Sequence, residues 1–186
     1  MNAATKAMAI LQKIQHDISD NKETSVKLER IMGLIAQGFD ADACACYITV
    51  DDTYLELFCK YGFKDEYKGN VRYGETMIGE IAAQRHSISR SNPSSLSFKS
   101  ALGAPMLRWN KTSGVILVIN KDERQYTDEE TSMLETIAMF LITFFATEEI
   151  SAYKKQLIKS RGLNLKDRLK GVVLTRIHLR GRQHRR

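Results

Sequence analysis

The spacing of apolar residues switches between two periods along the chain, and no other feature restricts its fold so tightly. Over 3–20 the residues Ala7, Ile10, Leu11, Ile14 and Ile18 recur at helical spacing. Polar residues at 21–24 interrupt them. The spacing resumes in Val26, Leu28, Ile31, Met32, Leu34 and Ile35 and stops at Gly38, a residue suited to a helix C-terminus. The period then drops to two. Over 43–50, Cys44, Cys46, Ile48 and Val50 fall on one face, and over 53–61 Leu55, Leu57 and Cys59 alternate with Tyr54, Glu56 and Phe58. With Asp51-Asp52 as the turn, the two segments predict an antiparallel hairpin.

After Gly62 the pattern predicts a polar stretch to Asn70, a short extended piece at 71–73, Gly74, and a short helix at 76–85. Residues 85–99, Ser-rich and holding Asn92-Pro93, read as a loop over one face of a sheet. Strands follow at 101–109 and 114–121 around a turn at 110–113. The second of these is apolar on both faces, as a central strand would be. Thr127 opens a last helix, with Glu130 placed for a capping box and Leu134, Ile137, Ala138, Leu141, Phe144 and Phe145 at helical spacing. The expected fold class is α+β: an antiparallel sheet flanked by N- and C-terminal helices, with no internal repeat.

Charge divides the chain. Residues 152–186 hold 12 Lys/Arg against one Asp, a net +11, so the net +6 of the whole leaves residues 1–151 at −5. The basic segment has neither interleaved aromatics nor a recognition helix, which argues against sequence-specific nucleic-acid readout; phosphate contact, an acidic surface, or a remnant without a role are its three readings. The longest apolar stretch, 136–147, falls well short of the roughly 20 residues that cross a bilayer, and no signal peptide is legible, so a cytoplasmic protein without a membrane span is expected. Cys44, Cys46 and Cys59 sit in strand-like segments and read as reduced core thiols. The four histidines are too scattered for a zinc site, so no metal and no cofactor are expected.

The run Gly74-Glu-Thr-Met-Ile-Gly-Glu-Ile-Ala, then Ala101-Leu-Gly-Ala-Pro-Met, Gly114-Val-Ile-Leu-Val-Ile-Asn-Lys and Tyr126-Thr-Asp-Glu-Glu before an apolar helix resembles a GAF domain over about residues 22–150. Ala41-Asp-Ala-Cys-Ala-Cys-Tyr-Ile, Leu55-Glu-Leu, Tyr61-Gly-Phe and Arg124-Gln-Tyr resemble, more narrowly, the amino-terminal GAF region of the nitrogen-related phosphoenolpyruvate-protein phosphotransferase, a PEP-utilizing enzyme family. The resemblance implies three parts: an N-terminal helix at 1–21, a sensory domain at 22–151, and a basic tail at 152–186, in which a helix end gives way to a disordered linker remnant. Two departures accompany it. The family's longer connection before the Leu-Gly-Ala strand shrinks here to Ser91-Asn-Pro-Ser-Ser-Leu-Ser-Phe, and Arg168-Leu-Lys-Gly-Val-Val-Leu resembles the entry to a phosphohistidine domain that does not follow.

No catalytic residue is expected. Phosphoryl transfer needs a positioned histidine with a metal and cationic groups, and His178 and His184 stand in an Arg-rich context without them. The resemblance places a pocket over one sheet face, beside Glu75, His86, Arg90 and Asn120. Arg90, with Glu75 or Asn120 as polar partners, would hold a small anion or amino acid; the same side chains also read as ordinary solvated loop residues. Asn120-Lys121 resembles the start of a cyclic-nucleotide signature, but after Tyr126 its paired acids would fall on Glu130 and Thr131, and the second is not acidic. The expected function is a non-catalytic sensory module of the nitrogen phosphotransferase system, responding to an amino acid or 2-oxoglutarate-class metabolite. It would dimerise through its terminal helices and signal to a phosphotransferase-system protein. The alternative is a vestigial or structural dimerisation module without a ligand.

Overall fold

The computed structural model describes residues 2–19, 22–51, 53–63, 69–92 and 98–161. Its first unit, Met1–Thr147, carries α1 (Ala3–Ile18), α2 (Thr24–Gly38), β1 (Ala43–Asp51), β2 (Tyr54–Tyr61), β3 (Asn70–Arg72), α3 (Thr76–Gln84), β4 (Ile88–Ser91), β5 (Ser100–Arg108), β6 (Lys111–Asn120) and α4 (Asp128–Phe145). In the second unit residues 148–161 form a helix, α5. The fold is α+β. No helix among the described residues is long and apolar enough to cross a membrane. The readings placed on residues 162–186, including His178 and His184, and on 93–97 lie outside the described residues.

Side-chain caps mark the starts of two of the helices. Asn2 caps α1 by accepting the Thr5 amide at 2.9 Å, and Thr127 and Glu130 form a reciprocal capping box at the start of α4. The six strands run antiparallel in the order β3-β2-β1-β6-β5-β4, so two hairpins, β1–β2 and β5–β6, are joined along β1–β6. The helices are divided between the faces. α2 and α4 cover the face bearing Cys44, Cys46, Ile116 and Val118, with α1 lying on both helices; α3 covers the face bearing Ala45, Tyr47, Leu117 and Ile119. Each large side chain so buried contributes about 1.5–3 kcal/mol, and this two-sided burial is why β6 is apolar at every position from Val115 to Ile119.

Four details depart from the expected pattern. Cys46 pairs with Cys59 and Tyr47 with Leu57, which leaves Phe58 as an extra residue. This bulge puts Phe58 and Cys59 on the α2/α4 side, where the Phe58 ring meets Phe145 edge-on at 5.2 Å, while Leu55 and Leu57 remain on the α3 side. The common face expected for Leu55, Leu57 and Cys59 is therefore split. Val50 is likewise an extra residue, between the Thr49–Leu55 and Asp51–Tyr54 pairs, and stands 39% exposed rather than continuing the cysteine face. Within the stretch expected to be loop, Ile88–Ser91 pairs with β5 as an edge strand; its short polar sequence carries no period-two signal, and backbone pairing alone creates it. The β5–β6 turn is also tighter than the four residues expected: Arg108 pairs with Lys111, and an extra residue at Ser113 absorbs the difference.

Candidate functional site

Among the described residues, α3 is the one helix that covers the sheet face bearing Tyr47 and Leu117. α3 has nine residues, of which Met77, Ile78, Ile81 and Ala82 are buried against a floor that includes Tyr47, Leu55, Val71 and Leu117. Phe63 and Phe98 pack on the same cluster, their rings edge-to-face at 5.4 Å. Close backbone approach fixes α3 in place: a Cβ on Gly79 would lie 2.2 Å from the Arg72 carbonyl oxygen. Both ends of the helix adopt left-handed backbone, Thr76 at φ 62° and Arg85 at φ 60°. For a β-branched threonine this conformation costs on the order of 1–3 kcal/mol, held by the surrounding contacts.

A chain of hydroxyls edges this face. Thr49 Oγ1 donates to the Thr112 carbonyl at 3.0 Å, so the 2.8 Å contact between Thr49 and Tyr73 has the Tyr73 hydroxyl as donor. Thr112 Oγ1 in turn donates to the Ala82 carbonyl at 2.8 Å. The relay ties the turn before α3, the end of β1, the β5–β6 hairpin and the last turn of α3 into one frame. None of these three residues has a sequence signature, since they come together only through strand register.

The residues singled out in the sequence are placed as follows. Arg90, on edge strand β4, forms an ion pair with Glu80 of α3; both side chains are partly solvated at 41% and 30%, so the pair is worth at most about 1 kcal/mol. Glu75 precedes α3 and His86 follows it, both exposed, at opposite ends of a helix roughly 14 Å long. Asn120 lies on the other face of the sheet. Its Nδ2 donates to the Asp40 carbonyl at 2.8 Å and its Oδ1 accepts from the Tyr126 hydroxyl. Thus Glu75, His86 and Arg90 rim α3, and the sheet separates them from Asn120.

A concavity of ≈350 Å³ opens elsewhere, between the start of α1, the end of α2 and the approach to α4, with Lys6, Phe39, Asp40, Arg124, Glu130 and Met133 among its lining. Arg124 is committed to structure there. It donates to the Phe39 carbonyl at 2.9 Å, pairs with Glu130 and lies over the Tyr126 ring at 4.4 Å. The Arg124-Gln-Tyr run therefore joins α2 to the start of α4.

All three cysteines are free and buried. Burial pushes the Cys44 and Cys59 thiols well up; the neighbouring Cys46 adds to both, accepting or donating a hydrogen bond at Cys59. Cys44 Sγ lies 3.6 Å from Met32 Sδ under α2. The Cys44 and Cys59 thiols are therefore protonated and poor nucleophiles, and all three cysteines sit on the face opposite α3. Among the described residues no group of three or more His, Cys, Asp and Glu side chains is arranged to hold a metal ion.

Comparison with known proteins agrees with this architecture. The family model described as GAF domain matches residues 24–143. No curated protein sequence matches the chain at a significant level. Among solved structures, the GAF domain of the phosphoenolpyruvate-protein phosphotransferase from Coxiella burnetii is similar with a TM-score of 0.64 at 18% identity, over 88% of this chain and 99% of that one. The corresponding GAF domain from Acinetobacter gives 0.62 at 22% identity, over 75% of this chain and 89% of that one. The free methionine-R-sulfoxide reductase from Neisseria meningitidis, solved with its substrate, gives 0.63 at 13% identity, over 83% of this chain and 93% of that one. At these identities the likeness to solved structures is one of fold, shared by the phosphotransferase GAF domains and the reductase alike. The family match runs from the start of α2 almost to the end of α4, across the whole sheet and α3, and the chain belongs to the GAF domain family.

Proposed function

We propose that the chain is a non-catalytic regulatory module that binds a small metabolite on the α3-covered face of its sheet. The supporting observation is how groups are distributed between the two faces. The α3 side combines an apolar floor, an edge of hydroxyls at Thr49, Tyr73 and Thr112, and a solvated rim holding Glu75, His86 and Arg90, while the thiols lie buried on the far side. Such a face offers polar binding groups around an apolar floor, with no cysteine thiol beside them among the described residues. Arg90 is the cation suited to a carboxylate, which it would take in exchange for Glu80. The sequence resemblance to the GAF region of the nitrogen-related phosphotransferase is the ground for an amino acid or 2-oxoglutarate-class ligand, a phosphotransferase-system partner and a cytoplasmic setting.

The test is thermal unfolding of the full chain with glutamine, 2-oxoglutarate and phosphoenolpyruvate. A ligand at 100 times its Kd stabilises the native state by about 2.7 kcal/mol, so a true ligand gives a saturable rise in Tm, and Arg90→Ala diminishes it. A Tm indifferent to all three removes metabolite sensing. Reduction of free methionine sulfoxide by the purified chain removes the non-catalytic reading.

One observation favours a second reading, a dimerisation module without a ligand. Met8 of α1 and Met139 of α4 are 57% and 71% exposed on the helical layer, apolar surface that a second copy would cover. Light scattering that finds only monomers at micromolar concentration removes it.

A further inference from the structure

Trp109 is the only tryptophan in the chain, and the fold gives it nothing to pack on. It is 87% exposed at the tip of the β5–β6 hairpin, and with Asn110 it forms a two-residue turn between the paired residues Arg108 and Lys111. Both turn residues are left-handed, Trp109 at φ 52° and Asn110 at φ 58°. Turns of this kind favour Asn-Gly or Asp-Gly; a tryptophan in the first position is strained and gains no burial in return. Folding alone would select against it, and residues that break a local rule without a structural gain mark function. The tip is also held rigid. Arg85 Nη1 donates to the Asn110 carbonyl at 2.9 Å, and Thr112 binds Ala82 and Thr49 just below the turn.

We infer that this turn is a docking point for anionic lipid surfaces, with Trp109 as an apolar wedge and Arg85, Arg108 and Lys111 as a cationic collar. The three cations are exposed and belong to the turn or hydrogen-bond to it. Leu107 and Val50, 37% and 39% exposed, extend the apolar surface there. Indole rings with adjacent Lys and Arg suit the headgroup layer, where the ring meets the acyl boundary and the cations meet anionic headgroups. The shape favours this occupant over the others. Single-stranded nucleic acid is held in grooves with successive stacking rings, and here one ring stands alone on a convex turn. A bilayer accepts such a wedge without needing a matching pocket.

The intrinsic emission of the full chain reports on this one residue. Vesicles of phosphatidylcholine with phosphatidylglycerol are expected to shift it saturably to the blue, whereas vesicles of phosphatidylcholine alone leave it unchanged. About 1 M salt, which shortens the Debye length to about 3 Å, should reverse the shift. Arg108→Gln with Lys111→Gln should weaken binding by about thirtyfold, from roughly fivefold per cation. Adsorption driven only by the basic segment 152–186 would sediment the protein with anionic vesicles while its emission stayed constant, and that result overturns the proposal. So do an equal shift with neutral vesicles, or quenching by single-stranded oligonucleotide with no response to any vesicle.

Discussion

The Tyr126 hydroxyl donates to Asn120 Oδ1, and the amide nitrogen of the same Asn120 donates to the Asp40 carbonyl at 2.8 Å. One buried side chain thus joins the end of β6, the approach to α4 and the left-handed Asp40 that closes α2, whose φ is 49°. Removing Asn120 would take the Nδ2 donor from the Asp40 carbonyl and leave the part-buried Tyr126 hydroxyl only its long 3.4 Å contact to the Val118 carbonyl. Asn120→Ala should cost about 1–3 kcal/mol and Tyr126→Phe about 1 kcal/mol, with a non-additive double mutant, all measurable by urea unfolding.

Stability should fall in alkali. Burial pushes the Tyr126 phenol well above its ordinary range; Glu130 and Asp42 add to this and Arg124 opposes it. The folded value exceeds the unfolded one of about 10, so the native state holds its proton where the unfolded chain has lost it. The contribution is therefore complete below about pH 10 and is lost as pH rises beyond it. Tyr126→Phe should flatten the decline in unfolding free energy above that point; an unchanged slope would exclude Tyr126 as its source.

The thiols should resist modification. Cys44, Cys46 and Cys59 are buried beneath α2 and α4, and burial raises the Cys44 and Cys59 thiols. Alkylation by iodoacetamide at neutral pH should follow the opening of the fold, so adding reagent beyond saturation should not accelerate it. Rapid labelling of the native chain would contradict the burial.

Gly79 should tolerate no side chain. A Cβ there would meet the Arg72 carbonyl oxygen at 2.2 Å and the Gly74 nitrogen at 3.0 Å, both backbone atoms, so α3 would have to lift. Despite the better helix propensity of alanine, Gly79→Ala should destabilise by roughly 1–3 kcal/mol. The ligand-dependent rise in Tm should suffer as well, because α3 covers the proposed site.

Trp109→Asn should stabilise. Asparagine tolerates left-handed backbone, and the native ring gains little from burial at 87% exposure. A gain of about 1 kcal/mol in chemical unfolding is expected, together with loss of vesicle binding. A less stable variant would show that the indole supports the fold.

The two-period pattern made most elements legible. Ile10 and Ile14, or Leu134, Ile137 and Leu141, could be assigned to buried helix faces before any contact was known, because amphipathic spacing has few other uses. The capping box of Thr127 and Glu130 was equally local and equally clear. Edge strand β4 was not, since Ile88–Ser91 takes its conformation from the partner strand. The bulge at Phe58 was hidden as well, because an extra residue alters the faces of a strand without altering its composition.

Candidate site residues divide in the same way. Glu75, His86 and Arg90 were recognisable as polar residues near a covering helix, yet only register revealed that Arg90 meets Glu80, that Thr49, Tyr73 and Thr112 form one relay, and that the sheet stands between Asn120 and the others. The sequence by itself determined most of the elements and their order, the family and the buried faces of the helices, because periodicity and capping act over a few residues. The tertiary structure alone decided which polar groups meet, how the thiols lie relative to α3, and that Trp109 stands unsupported at a strained turn, because pairing across 60 or 80 residues depends on register and bulges that no local pattern encodes.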